Sequence, residues 1–90
     1  MIRYSMIVDG RVQGVGFRYF TQLEASKLKL TGWVKNLIDQ RVEIEVQGSE
    51  ENICKFISSI KKGNNFSRVD DIAINKIPIL SDEKKYTIRY

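Results

Sequence analysis

Between Arg41 and Ile60 the hydrophobic period of the chain changes from two to about 3.6 across the single step Gly48-Ser49. Val42, Ile44 and Val46 alternate with Arg41, Glu43, Glu45 and Gln47, the pattern of a strand over 41–47 with one covered face and one wet face. Ile53, Phe56, Ile57 and Ile60 then stand at i, i+3, i+4 and i+7, a single buried stripe along a helix. Ser49 is placed to cap that helix, with Glu50 and Glu51 in its first turn, Lys61 and Lys62 in its last and Gly63 at its end, as the helix dipole and C-cap geometry prefer. A half-covered strand and a one-striped helix bury their apolar sides by packing on each other. This segment therefore commits the chain to helices layered on one face of a sheet.

The flanking segments extend the pattern. Tyr4, Met6 and Val8 alternate with Ser5, Ile7 and Asp9, a strand closed by Gly10. Phe17 to Leu30 reads as a helix with Phe17, Phe20, Ala25 and Leu28 in one stripe, although Thr21 and Glu24 share it. Thr31-Gly32 breaks that helix, Trp33–Leu37 is a second strand, and a turn around Ile38-Asp39-Gln40 folds it onto the third. A polar loop over Gly63–Arg68 precedes a fourth strand, Val69–Ile77; Pro78 separates it from a short terminal strand, Tyr86–Tyr90. The order strand, helix, strand, strand, helix, strand points to an α+β, ferredoxin-like α/β sandwich: a split βαβ with two helices on one face of a mainly antiparallel sheet and a short extra C-terminal strand. Ninety residues are expected to form one domain spanning 1–90.

Within that frame the run Gly10-Arg11-Val12-Gln13-Gly14-Val15-Gly16-Phe17-Arg18 joins a strand to a helix through a glycine-rich turn and delivers an arginine where the helix begins. Gly14 and Gly16 carry no Cβ and can take φ > 0, so successive N–H groups can turn inward as an anion-binding nest. The free N–H groups and positive end of the helix add to that field. Arg18 contributes a planar fork of donors that matches phosphate and keeps its charge near neutrality. The better-known phosphate loops do not fit: no Gly-Lys precedes a Ser or Thr, and a dinucleotide fingerprint would need glycine where Tyr19 stands. On these nine residues alone a tight turn with an exposed arginine also fits.

Composition narrows the chemistry further. The net charge of +4 favours anionic partners in general. The single Cys54 excludes an internal disulfide and paired-cysteine metal sites, and the lack of histidine removes the commonest zinc ligand and general base. No metal and no cofactor are expected. No apolar run approaches the ~18 residues of a membrane span, and nothing has the layout of a signal peptide, so no membrane association and cytoplasmic residence are expected.

Two motifs in order, Gly10–Arg18 above and Gly32-Trp33-Val34-Lys35-Asn36, resemble the acylphosphatase family. The likeness continues through Val42-Glu43, Val46-Gln47-Gly48 and the closing Tyr86-Thr87-Ile88-Arg89-Tyr90, so it covers essentially the whole chain. The resemblance implies hydrolysis of the carboxyl-phosphate bond of small acyl phosphates, without metal or covalent intermediate. It implies a phosphate cradle of Gln13, Gly14, Val15, Gly16, Phe17 and Arg18, with Arg18 binding the phosphate and Asn36 positioning the attacking water. Inorganic phosphate is then expected as product and inhibitor, and the protein is expected as a monomer. One departure lies at Gln40: members commonly carry glycine after the aspartate of the hairpin turn, where a type I′ turn needs φ > 0.

So sparse a set of groups suits this reaction. The leaving carboxylate is a stable anion that needs little help from a general acid. Phosphoryl transfer is mostly positioning plus neutralisation of charge on the equatorial oxygens, which a cationic nest and a guanidinium supply. Water must still be held in line, a task that the Asn36 carbonyl can perform as an acceptor. With no evident base, the substrate phosphate is the expected proton acceptor. Taken alone, Asn36 also fits a strand-end asparagine bonded to its own backbone. Trp33 reads as a core aromatic, Glu43 and Glu45 as the solvated face of the third strand, and Cys54 as a bystander thiol. RNA-recognition modules share the fold class, and Gly14–Phe20 superficially resembles their aromatic signature, but that signature belongs in a central strand and here it lies between strand and helix. No nucleic-acid partner is expected.

Overall fold

The computed structural model describes all 90 residues. Its elements run β1 (Ile2–Arg11), α1 (Phe17–Lys27), β2 (Thr31–Asn36), β3 (Val42–Gly48), α2 (Glu50–Lys62), β4 (Arg68–Ile77) and β5 (Tyr86–Arg89). The strands form one five-stranded sheet in the order β4-β1-β3-β2-β5. β1 pairs antiparallel with β3 and β4, β2 pairs antiparallel with β3, and β5 adds to β2 in parallel. Since β3 lies between β1 and β2, the unit β1-α1-β2 is split around it. That is the sandwich the periodicities require.

Register decides which residues meet the helices. Val8 faces Val42, Met6 faces Ile44 and Tyr4 faces Val46, while Val34 faces Ile44 across the other ladder. Met6, Val8, Val34, Val42, Ile44 and Val46 are fully buried beneath Phe17 and Ala25 of α1 and Ile53, Phe56 and Ile60 of α2. Each such side chain contributes about 1.5–3 kcal/mol by leaving water. Ser49 caps α2 as expected, its hydroxyl accepting from the Asn52 N–H at 3.2 Å. Cys54 is exposed, off the buried stripe of that helix.

The first helix is shorter than its pattern predicts, ending at Lys27. The Leu28 and Lys29 N–H groups close its last turn, Lys29 takes φ 56°, and Leu30 turns back into the core. Thr31 and Gly32, expected only to break the helix, are already the first residues of β2. At Gly32, φ is 143° and a Cβ would overlap the Glu45 carbonyl oxygen, so close strand approach requires glycine there. Thr21 belongs to the buried stripe because its hydroxyl is fully used, donating to the Arg18 carbonyl at 2.8 Å and accepting from Tyr86 Oη at 3.0 Å. Burial pushes the Tyr86 phenol well above its ordinary pKa.

The second face of the sheet is less wet than alternation predicts. Arg3, paired with Gln47, is only 1% exposed and lies under the β4–β5 connection. Its guanidinium donates to Glu45 through Nε and Nη2 at 3.0 and 2.9 Å, to Glu83 through Nη1 and Nη2 at 2.7 and 3.1 Å, and to Gln47 Oε1 at 3.2 Å. All five guanidinium hydrogens thereby find acceptors, which is what makes a buried arginine tolerable. Gln47, expected on the solvated side, is buried because Leu80 clamps it from N–H and carbonyl at 2.8 Å each. Glu45 likewise is an ion-pair partner of Arg3 and no mere surface carboxylate. Trp33 also departs from expectation: it faces Glu45 on this second side, outside the helix-covered core, and is sheltered by the Arg89 guanidinium 4.5 Å above its ring.

Candidate active site

The β1–α1 connection and the end of β2 meet on the helix-covered side of the sheet. Gly14 and Gly16 adopt φ of 72° and 74°, the left-handed region that glycine enters without strain. Gly16 is the N-cap residue of α1, no side chain caps the helix, and its first turn holds no acidic residue. The N-terminal N–H groups and the positive end of the dipole are thus free to meet an anion. Val12 and Phe17, both buried, anchor the two ends of the loop in the core.

A cavity of about 300 Å³ opens there, lined by Gly14, Gly16, Phe17, Arg18, Asn36 and by Val12, Tyr19, Ile88 and Tyr90. Arg18 carries the only charged side chain among them. One cation at a helix N-terminus, with no carboxylate side chain in the lining, makes a site that can take an anion. Asn36 enters from the last position of β2, opposite Val42, so it shares the face of Val34. Its side-chain oxygen is buried and has no hydrogen-bond partner in the protein. No group of three or more His, Cys, Asp or Glu side chains comes together anywhere in the chain.

The structure therefore brings together Gly14, Gly16, Phe17, Arg18 and Asn36 of the residues singled out from the sequence. Gln13 and Val15 do not line the cavity. The Gln13 amide donates instead to the Leu37 and Arg41 carbonyls at 2.8 and 2.9 Å, tying the glycine loop to the β2–β3 turn directly after Asn36. That turn has three residues, Ile38-Asp39-Gln40, between the bonded pair Leu37 and Arg41, with the Gln40 N–H donating to the Leu37 carbonyl and Gln40 at φ 79°. This is a type I turn followed by a left-handed residue, the three-residue hairpin, and not the two-residue type I′ turn. The Arg41 side chain, bonded to Asp39 at 2.8 Å, together with the Arg41 N–H, holds the Asp39 carboxyl below its ordinary pKa.

Four residues to which the sequence assigned no role in the site support it. Thr21 and Tyr86 link the first turn of α1, at the Arg18 carbonyl, to β5. Tyr90, 98% exposed, lies beneath the Arg18 guanidinium at 5.0 Å. Asn64, from the α2–β4 loop, donates to the Val15 carbonyl at 2.8 Å. The only sequence signal for Thr21 was a polar residue inside an apolar stripe, and the others are joined to the loop by contacts that no local pattern encodes.

Residues 4–88 match the acylphosphatase family model. An acylphosphatase of Clostridium beijerinckii is 64% identical over all 90 residues and the whole of its own length, and one of Bacillus subtilis is 50% identical over the full chain and 99% of its own length. The crystal structure of acylphosphatase from Bacillus subtilis superposes with a TM-score of 0.95 at 50% identity over the whole of both chains, and the solved structure of an acylphosphatase from Coxiella burnetii with 0.91 at 31% identity over 98% of this chain and 92% of the other. Family match, full-length identity and shared fold lead to one conclusion: the chain belongs to the acylphosphatase family.

Proposed function

We propose that this acylphosphatase holds the phosphate of a small acyl phosphate in the loop Gln13–Arg18, with Arg18 as its charged clamp, and that Asn36 aligns the water that attacks it. Gly14, Gly16 and the first turn of α1 offer backbone N–H groups to the phosphate oxygens, and the Arg18 fork adds bidentate neutralisation. Gln13 serves by keeping the loop in register with the β2–β3 turn.

The water oxygen bonds to phosphorus as the bond from phosphorus to the carboxylate oxygen breaks. The electron pair leaves with the carboxylate, and one water proton passes to a phosphate oxygen, giving dihydrogen phosphate. The cavity presents no Asp, Glu, Lys or Cys side chain to act as the base. Because the leaving group is already a stable anion, positioning and charge neutralisation can carry most of the acceleration.

The observation that carries this reading is the buried, unpartnered side-chain oxygen of Asn36 in the same cavity as Arg18. A buried acceptor without a donor is costly, and a water bound for attack would satisfy it. The test compares two variants. Asn36→Ala should depress kcat severely while the inhibition constant of phosphate stays within a few-fold of wild type, since an interaction made chiefly in the transition state shows itself in turnover. Arg18 substitutions should weaken both. An Asn36→Ala protein that keeps its turnover and loses only phosphate binding would place Asn36 in the cradle and end the water-positioning role.

A further inference from the structure

The α2–β4 loop touches the glycine loop through Asn64. Its Nδ2 donates to the Val15 carbonyl at 2.8 Å. Asn64 is itself fixed by a compact turn: its N–H donates to Ser67 Oγ at 2.9 Å, and its carbonyl accepts from the Ser67 N–H and Oγ at 3.2 Å each. Neither Asn64 nor Val15 lines the cavity, whereas Gly14, Gly16 and Arg18 do, so this contact lies on the outer side of the loop. Asn64 also backs the next residue, since a Cβ on Gly16 would lie 3.7 Å from Nδ2.

We infer that Asn64 is a positioning residue for the reaction: by holding the Val15 carbonyl outward, it turns the Gly16 N–H into the phosphate site. The C=O and N–H of a planar trans peptide point in opposite directions, so fixing one fixes the other. Between Val15 and Gly16 little else opposes rotation of the peptide, because glycine tolerates both hands of φ. A flipped peptide would present a carbonyl oxygen to the phosphate and replace attraction by repulsion. The Asn64 amide removes that alternative, and it does so while leaving its own Oδ1 buried without a partner, so the donor end is the one in use.

This inference rests on the glycine loop being the phosphate cradle, and one experiment separates the two. The ¹⁵N-labelled wild-type protein and Asn64→Leu are titrated with inorganic phosphate while the Gly14, Gly16 and Arg18 amide resonances are followed, alongside KM, kcat and thermal unfolding. In wild type the loop amides should shift and the Gly16 N–H should move downfield. In Asn64→Leu the Gly16 displacement should be lost, and the phosphate dissociation constant and KM should rise about tenfold, the scale of one hydrogen bond to a charged group. Asn64→Asp, which keeps the size but exchanges the donor for a carboxylate, should weaken phosphate at least as much and serves if the leucine variant does not fold. Variants that lose thermal stability but keep the wild-type Gly16 shift and phosphate constant would overturn the inference, leaving Asn64 a purely structural residue. Loop amides that ignore phosphate in the wild type would instead overturn the cradle itself.

Discussion

The Arg18 guanidinium lies 5.0 Å above the ring of Tyr90, so the one cation of the cavity rests on an aromatic face that is otherwise open to water. Such a contact at an exposed site is worth about 0.5–1 kcal/mol, enough to bias the arginine toward one orientation but not to fix it. Tyr90→Ala should therefore cost activity only a few-fold. Arg18→Gln should lower kcat/KM by at least about 10²–10³, the loss expected for one preorganised transition-state donor. Steady-state kinetics on acetyl or benzoyl phosphate, with circular dichroism to verify folding, measures both. A folded Arg18→Gln enzyme with near wild-type turnover would remove Arg18 from the mechanism.

The residues lining the cavity include no histidine, cysteine or carboxylate side chain, and Cys54 lies exposed on α2. Activity should therefore survive chelators and thiol alkylation, and inorganic phosphate should inhibit competitively. Activity lost in EDTA and restored by a divalent ion would mean that a metal neutralises the phosphate.

Gln40 occupies a left-handed position at φ 79° in the hairpin turn. An L-residue there costs about 1–2 kcal/mol, whereas glycine pays no steric penalty but loses more backbone entropy on folding, about 0.5–1 kcal/mol. Gln40→Gly should thus be neutral to stabilising by up to about 1.5 kcal/mol, which for a domain of this size raises Tm by up to ~6–12 °C. A clear fall in Tm would show that the Gln40 side chain contributes more than its backbone strain costs.

Arg3 and Glu83 make the acid-sensitive link between the sheet and the β4–β5 connection. Burial pushes the Glu83 carboxyl up, but hydrogen bonds from Arg3 and Thr31 and the charges of Arg3 and Arg89 outweigh it and hold the pKa below its ordinary value. A carboxyl lowered in the folded state stabilises it fully above the unfolded value, about 4.3, and that stabilisation is lost as pH falls through the folded value. Glu83→Gln should cost about 1.5–3 kcal/mol at pH 7 and progressively less below pH 4, so the two unfolding curves should converge in acid. Parallel curves down to pH 3 would contradict the assignment.

The periodicities of 41–47 and 53–60 alone determined that a strand feeds a helix, because burial of an alternating face and of a 3.6-residue stripe is a local property of the chain. The order of such segments then pointed to the split βαβ sandwich, and Gly14 and Gly16 marked the turn before α1 as the candidate anion cradle. What pattern could not decide were relations between segments far apart in the chain. Glu45 reads as a solvated carboxylate until the buried Arg3 pairs with it, and Trp33 reads as core until the β2–β3 register turns it toward Arg89. The last turn of α1 was overestimated because Leu28 and Leu30 are apolar for packing reasons, while the closing bonds to Glu24, Ala25 and Ser26 stop the helix at Lys27. At the site, local sequence supplied Arg18 and Asn36 as chemical types. Only the pairing of β2 beside β3, the Gln13 link to the hairpin turn and the Asn64 bond to Val15 put them around one cavity, since hydrogen bonds between loops are set by the sheet that carries those loops and by no property of either loop alone.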